Sequence, residues 1–163
     1  MTTLDPANPP TVAELLSRMD AGWTEFRARM QAMPNELLEE KLGTGAWTRK
    51  QMLAHISTWH DLTIDRLGRF MESGEPPGLD EHEDEINARA ARAATGRTTG
   101  EIVQGVEDSY RRLHRQVARL TDEQLEAHEW WALSIVNGNT FGHYEEHLPD
   151  LDPTPAREAG GAR

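Results

Sequence analysis

The chain has 163 residues, 37% of them hydrophobic, a formal net charge of -11 and a mean hydropathy of -0.70, which fits one small domain whose helices each expose a wide charged face. It has no cysteine, so disulfides, thiolate metal sites and cysteine nucleophiles are excluded, and any metal must sit on His, Asp, Glu or backbone oxygen. No run approaches the roughly 18 apolar residues of a membrane span, and MTTLDPANPP lacks the basic and apolar segments of a signal peptide, so the expected protein is cytoplasmic with no membrane partner.

Residues 1–10 carry three prolines and read as an irregular lead-in to a helical region over 11–148. From Thr11, Val12, Leu15, Leu16, Met19, Trp23, Phe26 and Met30 recur at steps of three and four, the stripe of a long first helix. Thr11 with Glu14 forms a capping-box signature and Pro34 closes the helix. NELLEEKLGTGAW reads as a loop with one helical turn. Thr48 then caps a second long helix carrying Met52, Ile56, Trp59, Thr63, Leu67, Phe70 and Met71 with helical period. After the break at GEPPGLD, EHEDEINARAARAAT has almost no large apolar group and reads as an exposed helix or turn. A third core helix follows Thr98 or Thr99, with Ile102, Val103, Val106, Tyr110, Leu113, Val117 and Leu120 on one side.

Arg111, Arg112, Arg115 and Arg119 on that helix recur beside Glu107 and Asp108, as on a solvated face laced with ion pairs. With 28 acidic against 17 basic side chains, the expectation is no nucleic-acid partner. TDEQLE opens a short helix, Trp130 and Trp131 begin an irregular apolar stretch, and a fourth core helix is expected from about Ser134 to Leu148. Pro149 ends it, and 149–163 reads as a mobile tail. No period-2 strand pattern appears, so the fold class is all-α: a four-helix bundle with additional short helices.

The chemistry lies in NTFGHYEEHLPDL. His143 and His147 stand four residues apart, on one helical face, where two imidazoles can converge on one ion. A third ligand has to come from another element, and His55, between Met52 and Trp59 on the second helix, is the candidate; a hydrogen-bonded core histidine with a surface His143/His147 pair is the alternative. Three facing histidines with an open position match a catalytic rather than a closed structural site. HxxEH also fits, but only 16 residues follow His147, too few for the downstream ligand of such peptidases. Asn139, one turn before His143, can orient a ligand or cap the helix. Trp47, Trp59, Trp130, Trp131 and Tyr144 can wall a pocket or simply pack the core. His60, His82, His114 and His128 read as solvated, with His60 near enough to reach the rim of the site. Arg49 and Glu146 read as solvated rim charges.

GAWTRKQMLAHISTWHDLTIDRL followed by NGNTFGHYEEH resembles the DinB-like (YfiT-like) four-helix-bundle superfamily. ELLSRMDAGWTEFRARMQAMPNELL and DEINARAARAATGRTTGEIVQGVEDSYRRL look closest to its ClbS/DfsB branch. The resemblance spans about residues 11–148. It implies a bundle in which His55, His143 and His147 hold a divalent metal, with zinc, nickel and iron equally suited to three imidazoles, and it allows a low-molecular-weight thiol as co-substrate. The implied activity is thiol transfer or hydrolysis of a small electrophilic metabolite or toxin. Two further readings stay open: a resistance protein that binds or sequesters a small molecule without turnover, and a homodimeric helical scaffold with a vestigial site.

Overall fold

The computed structural model describes residues 8–43, 45 and 47–153. Most of the expected lead-in (1–7) and most of the expected tail (154–163) lie outside the described residues. Seven α-helices follow in chain order: α1 (Val12–Ala32), α2 (Asn35–Leu38), α3 (Arg49–Ser73), α4 (Glu83–Thr95), α5 (Thr99–Val117), α6 (Asp122–Asn139) and α7 (Phe141–His147), with a 3-10 turn at Leu148–Leu151. Among the described residues there is no strand beyond an isolated bridge between Lys41 and Thr48, and no helix is long and apolar enough to cross a membrane.

The long helices begin where local chemistry dictates. Thr11, Thr48, Thr98 and Thr121 each accept from the backbone N–H three residues on, while Glu14, Gln51, Glu101 and Gln124 reach back, four complete capping boxes. α3 stops at Gly74, whose φ of 78° is the left-handed cap that glycine adopts without a Cβ penalty. The stripe from α1 buries Leu15, Met19, Phe26 and Met30 against Leu53, Ile56, Leu67 and Phe70 of α3 and Val106, Leu113 and Val117 of α5, all in one cluster. Each such side chain contributes about 1.5–3 kcal/mol by leaving water. α3 is the hub, flanked by α5 on one side, α4 on another, and α6 beyond.

Two elements depart from the sequence reading. α4 is not a free exposed helix: Ile86, Ala90, Ala91 and Ala94 are buried, because small alanines let it lie close against α3. The expected fourth helix, about 134–148, is not one helix, and it is preceded by a tight turn where the sequence reads as irregular. Within α6, Ala127 is extended (ψ 150°) and His128, Glu129 and Trp130 take left-handed φ values of 52°, 55° and 65°, a conformation that costs about 1–2 kcal/mol per residue. Tertiary contacts hold that turn: His128 Nε2–H donates to the Gly74 carbonyl at 2.7 Å, and Trp131 packs on Phe70, with ring centroids 5.1 Å apart, and under the Arg66 guanidinium. A second break falls at Thr140 (φ -128°, ψ -110°), whose buried hydroxyl donates back to the Val136 carbonyl at 2.6 Å. The HYEEH segment therefore sits on its own short helix, α7.

Candidate metal centre

α7 packs closely on α1 because α1 offers it a glycine. A Cβ on Gly22 would stand 2.8 Å from Phe141 Cβ and 3.2 Å from Phe141 Cα, so the two backbones approach as only glycine permits. This contact helps seat His143 and His147 opposite His55, which lies in the second turn of α3. His55 Nε2 lies 2.8 Å from His143 Nε2, and the His143 and His147 rings are 4.9 Å apart by centroid. One ring nitrogen from each of the three histidines falls within 4.8 Å of the others.

The remaining nitrogens fit a metal site. His147 Nδ1 donates to the Asp150 carboxylate at 2.8 Å, which leaves its Nε2 as the lone-pair atom, the carboxylate-histidine arrangement that orients metal ligands. His55 Nδ1 is 2.9 Å from the Asn87 carboxamide oxygen, so its Nε2 is likewise turned to the cluster. His143 Nδ1 is a buried polar atom without a hydrogen-bond partner, the sort of residual cost accepted at functional rather than purely structural positions. Burial pushes the His143 imidazole down to about 3, helped by the charges of His55, His147 and His60. Burial, then His147, pushes His55 down to about 4, against the raising effect of its hydrogen bond to Asn87. Both rings are therefore neutral at physiological pH, as ligands must be. Trp47 and Trp59 stand beside His55, with ring centroids 5.3 and 6.3 Å away.

The DinB superfamily profile matches residues 18–148. The chain belongs to the DinB superfamily. In fold it is similar to the colibactin self-resistance protein ClbS solved in complex with double-stranded DNA, at 12% identity and a TM-score of 0.74, over 88% of this chain and 94% of that one. It is similar to DfsB, a sibling lethal factor precursor, with the same identity, score and coverage, and to a Streptococcus pneumoniae protein at 11% identity and a TM-score of 0.73, over 91% of each chain. Comparison with curated proteins gives no match.

One of these neighbours overturns the expectation of no nucleic-acid partner, since ClbS, a DinB-like fold, is crystallised with double-stranded DNA. The inference from a net charge of -11 fails because net charge sums over the whole surface, whereas a phosphate backbone meets one face. Arg111, Arg112 and Arg115 are exposed along α5 and Arg119 just beyond its end, with Arg112 paired to Asp61 at 2.6 Å and Arg111 to Asp108 at 2.8 Å.

Other residues fall elsewhere in this DinB-superfamily protein. His60 is fully buried rather than solvated or at the rim, because it turns from the histidine cluster toward α5 and meets Ser109 Oγ at 2.8 Å. Tyr144 is buried with it and stacks on Phe26 at 4.7 Å between centroids. Its hydroxyl is 2.7 Å from His60 Nε2, so it anchors α7 in the core. Asn139 donates to the Ile135 carbonyl at 2.9 Å. The break at Thr140 removes the continuous helical face that would place Asn139 one turn below His143. Trp130 is the last residue of the left-handed turn, and Trp131, directly after it, packs against Phe70. Arg49 is buried rather than solvated and donates to the carbonyls of Asp150, at 2.7 Å, and Leu37, at 3.2 Å. Glu146 is exposed. Asn87 and Asp150 escape sequence reading: the first sits in an Ala/Arg-rich helix with no local signal, whereas the second, three residues after His147, could have been found from that spacing.

Proposed function

We propose that this protein is a divalent-metal-dependent enzyme acting on a small electrophile, by thiol transfer or hydrolysis, with His55, His143 and His147 as the metal ligands. The carrying observation is the convergence of three imidazoles within 4.8 Å with Asn87 and Asp150 holding the outer nitrogens of two of them. Zinc, nickel or iron suits this donor set. When bound, such an ion supplies Lewis acidity at an open coordination position. In hydrolysis the water oxygen bonds to the electrophilic carbon as the bond to the leaving group breaks, and the water's proton goes to that group. In thiol transfer the sulfur of a low-molecular-weight thiol forms the new bond, and its proton goes to the displaced group or, in an addition, to the neighbouring carbon. The chain's own part is to hold the ligand rings in place and, through Trp47 and Trp59, to offer an apolar wall that limits water and receives the substrate's carbon skeleton. A cytoplasmic setting, with its reduced thiol pool, suits the chemistry.

The test is elemental analysis of protein purified without a histidine tag. About one equivalent of metal per chain is expected, lost in His143→Ala; full retention in that variant overturns the assignment. A second reading, protection by sequestration, draws on the likeness to a self-resistance protein. Product exceeding one equivalent per chain excludes it. DNA contact belongs to the same comparison and is measured directly, by the salt dependence of binding to a duplex.

A further inference from the structure

We propose that Asn87 is the positioning residue of the histidine cluster, its carboxamide oxygen locking His55 in the tautomer and ring rotation that aim a bare Nε2 at His143 and His147. The argument begins at Trp59, whose indole N–H can only donate. It lies 2.9 Å from one end of the Asn87 carboxamide, so that end is the oxygen and the orientation of the amide is fixed. The same oxygen is 2.9 Å from His55 Nδ1. An amide oxygen only accepts, so Nδ1 carries the proton and Nε2 is the lone-pair atom.

Two donors on α3, four residues and one turn apart, thus converge on a single acceptor from α4, and the partly buried Asn87 is clamped between helices. A consequence follows for His143. Two bare nitrogens 2.8 Å apart repel, so in the His55–His143 contact the proton belongs to His143 Nε2, which leaves His143 Nδ1 as the unpartnered buried atom. His55 and His147 are set in the ligating tautomer by Asn87 and Asp150. His143 alone has to move a proton to offer the same nitrogen.

The effect of Asn87 on metal uptake rests on the metal reading above, whereas its effect on the tautomer does not. Two-bond proton–nitrogen NMR spectra of nitrogen-15-labelled protein report which His55 nitrogen bears hydrogen, and calorimetric titration with zinc reports affinity. In the wild type His55 is expected as the Nδ1–H tautomer. Asn87→Leu removes the acceptor, shifts His55 toward Nε2–H, and weakens zinc binding about 10- to 100-fold. Asn87→Asp keeps an oxygen in place and restores both readouts, which a merely structural loss would not do. An unchanged His55 tautomer in the Leu variant overturns the proposal, as does zinc affinity that falls equally in the Asp and Leu variants or in neither. Wild-type protein that takes up none of zinc, nickel and iron overturns the metal reading, and the tautomer shift still decides the role of Asn87.

Discussion

Acidification should destabilise this protein through a histidine outside the metal cluster. Ser109 Oγ donates to the Val106 carbonyl at 2.9 Å, so it accepts from His60 Nδ1–H, and His60 Nε2 accepts from the Tyr144 hydroxyl. Every polar atom of the neutral ring is satisfied and no position remains for a second ring proton. Burial, with a smaller contribution from the Arg112 charge, pushes His60 down to about 3 from 6.5. The unfolded chain therefore takes up the proton first, so the stabilisation is complete above about pH 6.5 and is lost as pH falls toward 3. At about pH 5 the single-site loss is about 2 kcal/mol, from 1.4 kcal/mol per pH unit over the interval below 6.5. His55 and His143 shift in the same direction, so the whole protein loses more, and a control has to isolate His60. His60→Gln supplies one: its amide can donate to Ser109 and accept from Tyr144 but does not titrate. Urea unfolding of both proteins with chelator present, at about pH 7.5 and about pH 5, should show the wild-type advantage narrowing by about 2 kcal/mol. A gap of constant size at the two pH values would refute the reasoning, because it would mean that His60 takes its proton without unfolding.

Gly22→Ala drives a methyl into Phe141 Cβ and Cα, and relief requires the α7 backbone to move; an unfolding free energy lower by about 1–3 kcal/mol is expected, with weaker zinc binding in the calorimeter. An unchanged urea midpoint would show that α7 slides freely on α1. Arg49→Met keeps the aliphatic volume but removes both hydrogen bonds to the carbonyls of Asp150 and Leu37; a loss of about 2–4 kcal/mol follows from the usual strength of charged donors, read in the same unfolding assay. Stability equal to wild type would mean that the two carbonyls are satisfied without the guanidinium.

What was legible in the sequence was local. The Thr11/Glu14 capping box and the Thr48 cap were set by side chains three residues from their partners, and the His143/His147 pair by one turn of helix. His55 was a candidate from its place between Met52 and Trp59 on the buried edge of the second helix, and the order of family-like segments strengthened it, since nothing in the chain near position 55 announces a partner 88 residues away. What was not legible depends on which surfaces other elements cover. His60 stands among residues that look polar in one dimension, and only the docking of α5 on α3 buries it. Arg49 looks like a rim charge until the 3-10 turn folds over it. Asn87 sits among alanines and arginines, and its role exists only because α4 lies on the side of α3 that carries His55 and Trp59. The break at Thr140 did leave a signal, since Gly138 and Gly142 flank it, but glycine inside a periodic helical pattern is tolerated often enough not to mark a break by itself. DNA contact in a neighbour of the same fold was hidden for a related reason, because composition averages over faces.

The two halves of the histidine cluster are held in different ways. His55 rides on a helix of 25 residues, packed by its neighbours on several sides and fixed at its ring by Asn87. His143 and His147 ride on a helix of seven residues, too short to be stable alone and broken from α6 at Thr140. Their position is set from outside: by the Gly22 contact at the start of α7, by the Tyr144 hydroxyl on His60 in its middle, and by Arg49 holding the turn that carries Asp150 at its end. The tethers are separate in sequence, one made to α1 and two to positions 11 residues apart on α3. Loosening one should spread the α7 histidines relative to His55 while the bundle core, built from α1, α3 and α5, stays intact. Metal affinity is therefore expected to fall earlier than cooperative unfolding along a series of tether variants. If affinity and stability instead fell in strict proportion, α7 would be part of the folding core rather than an element placed upon it.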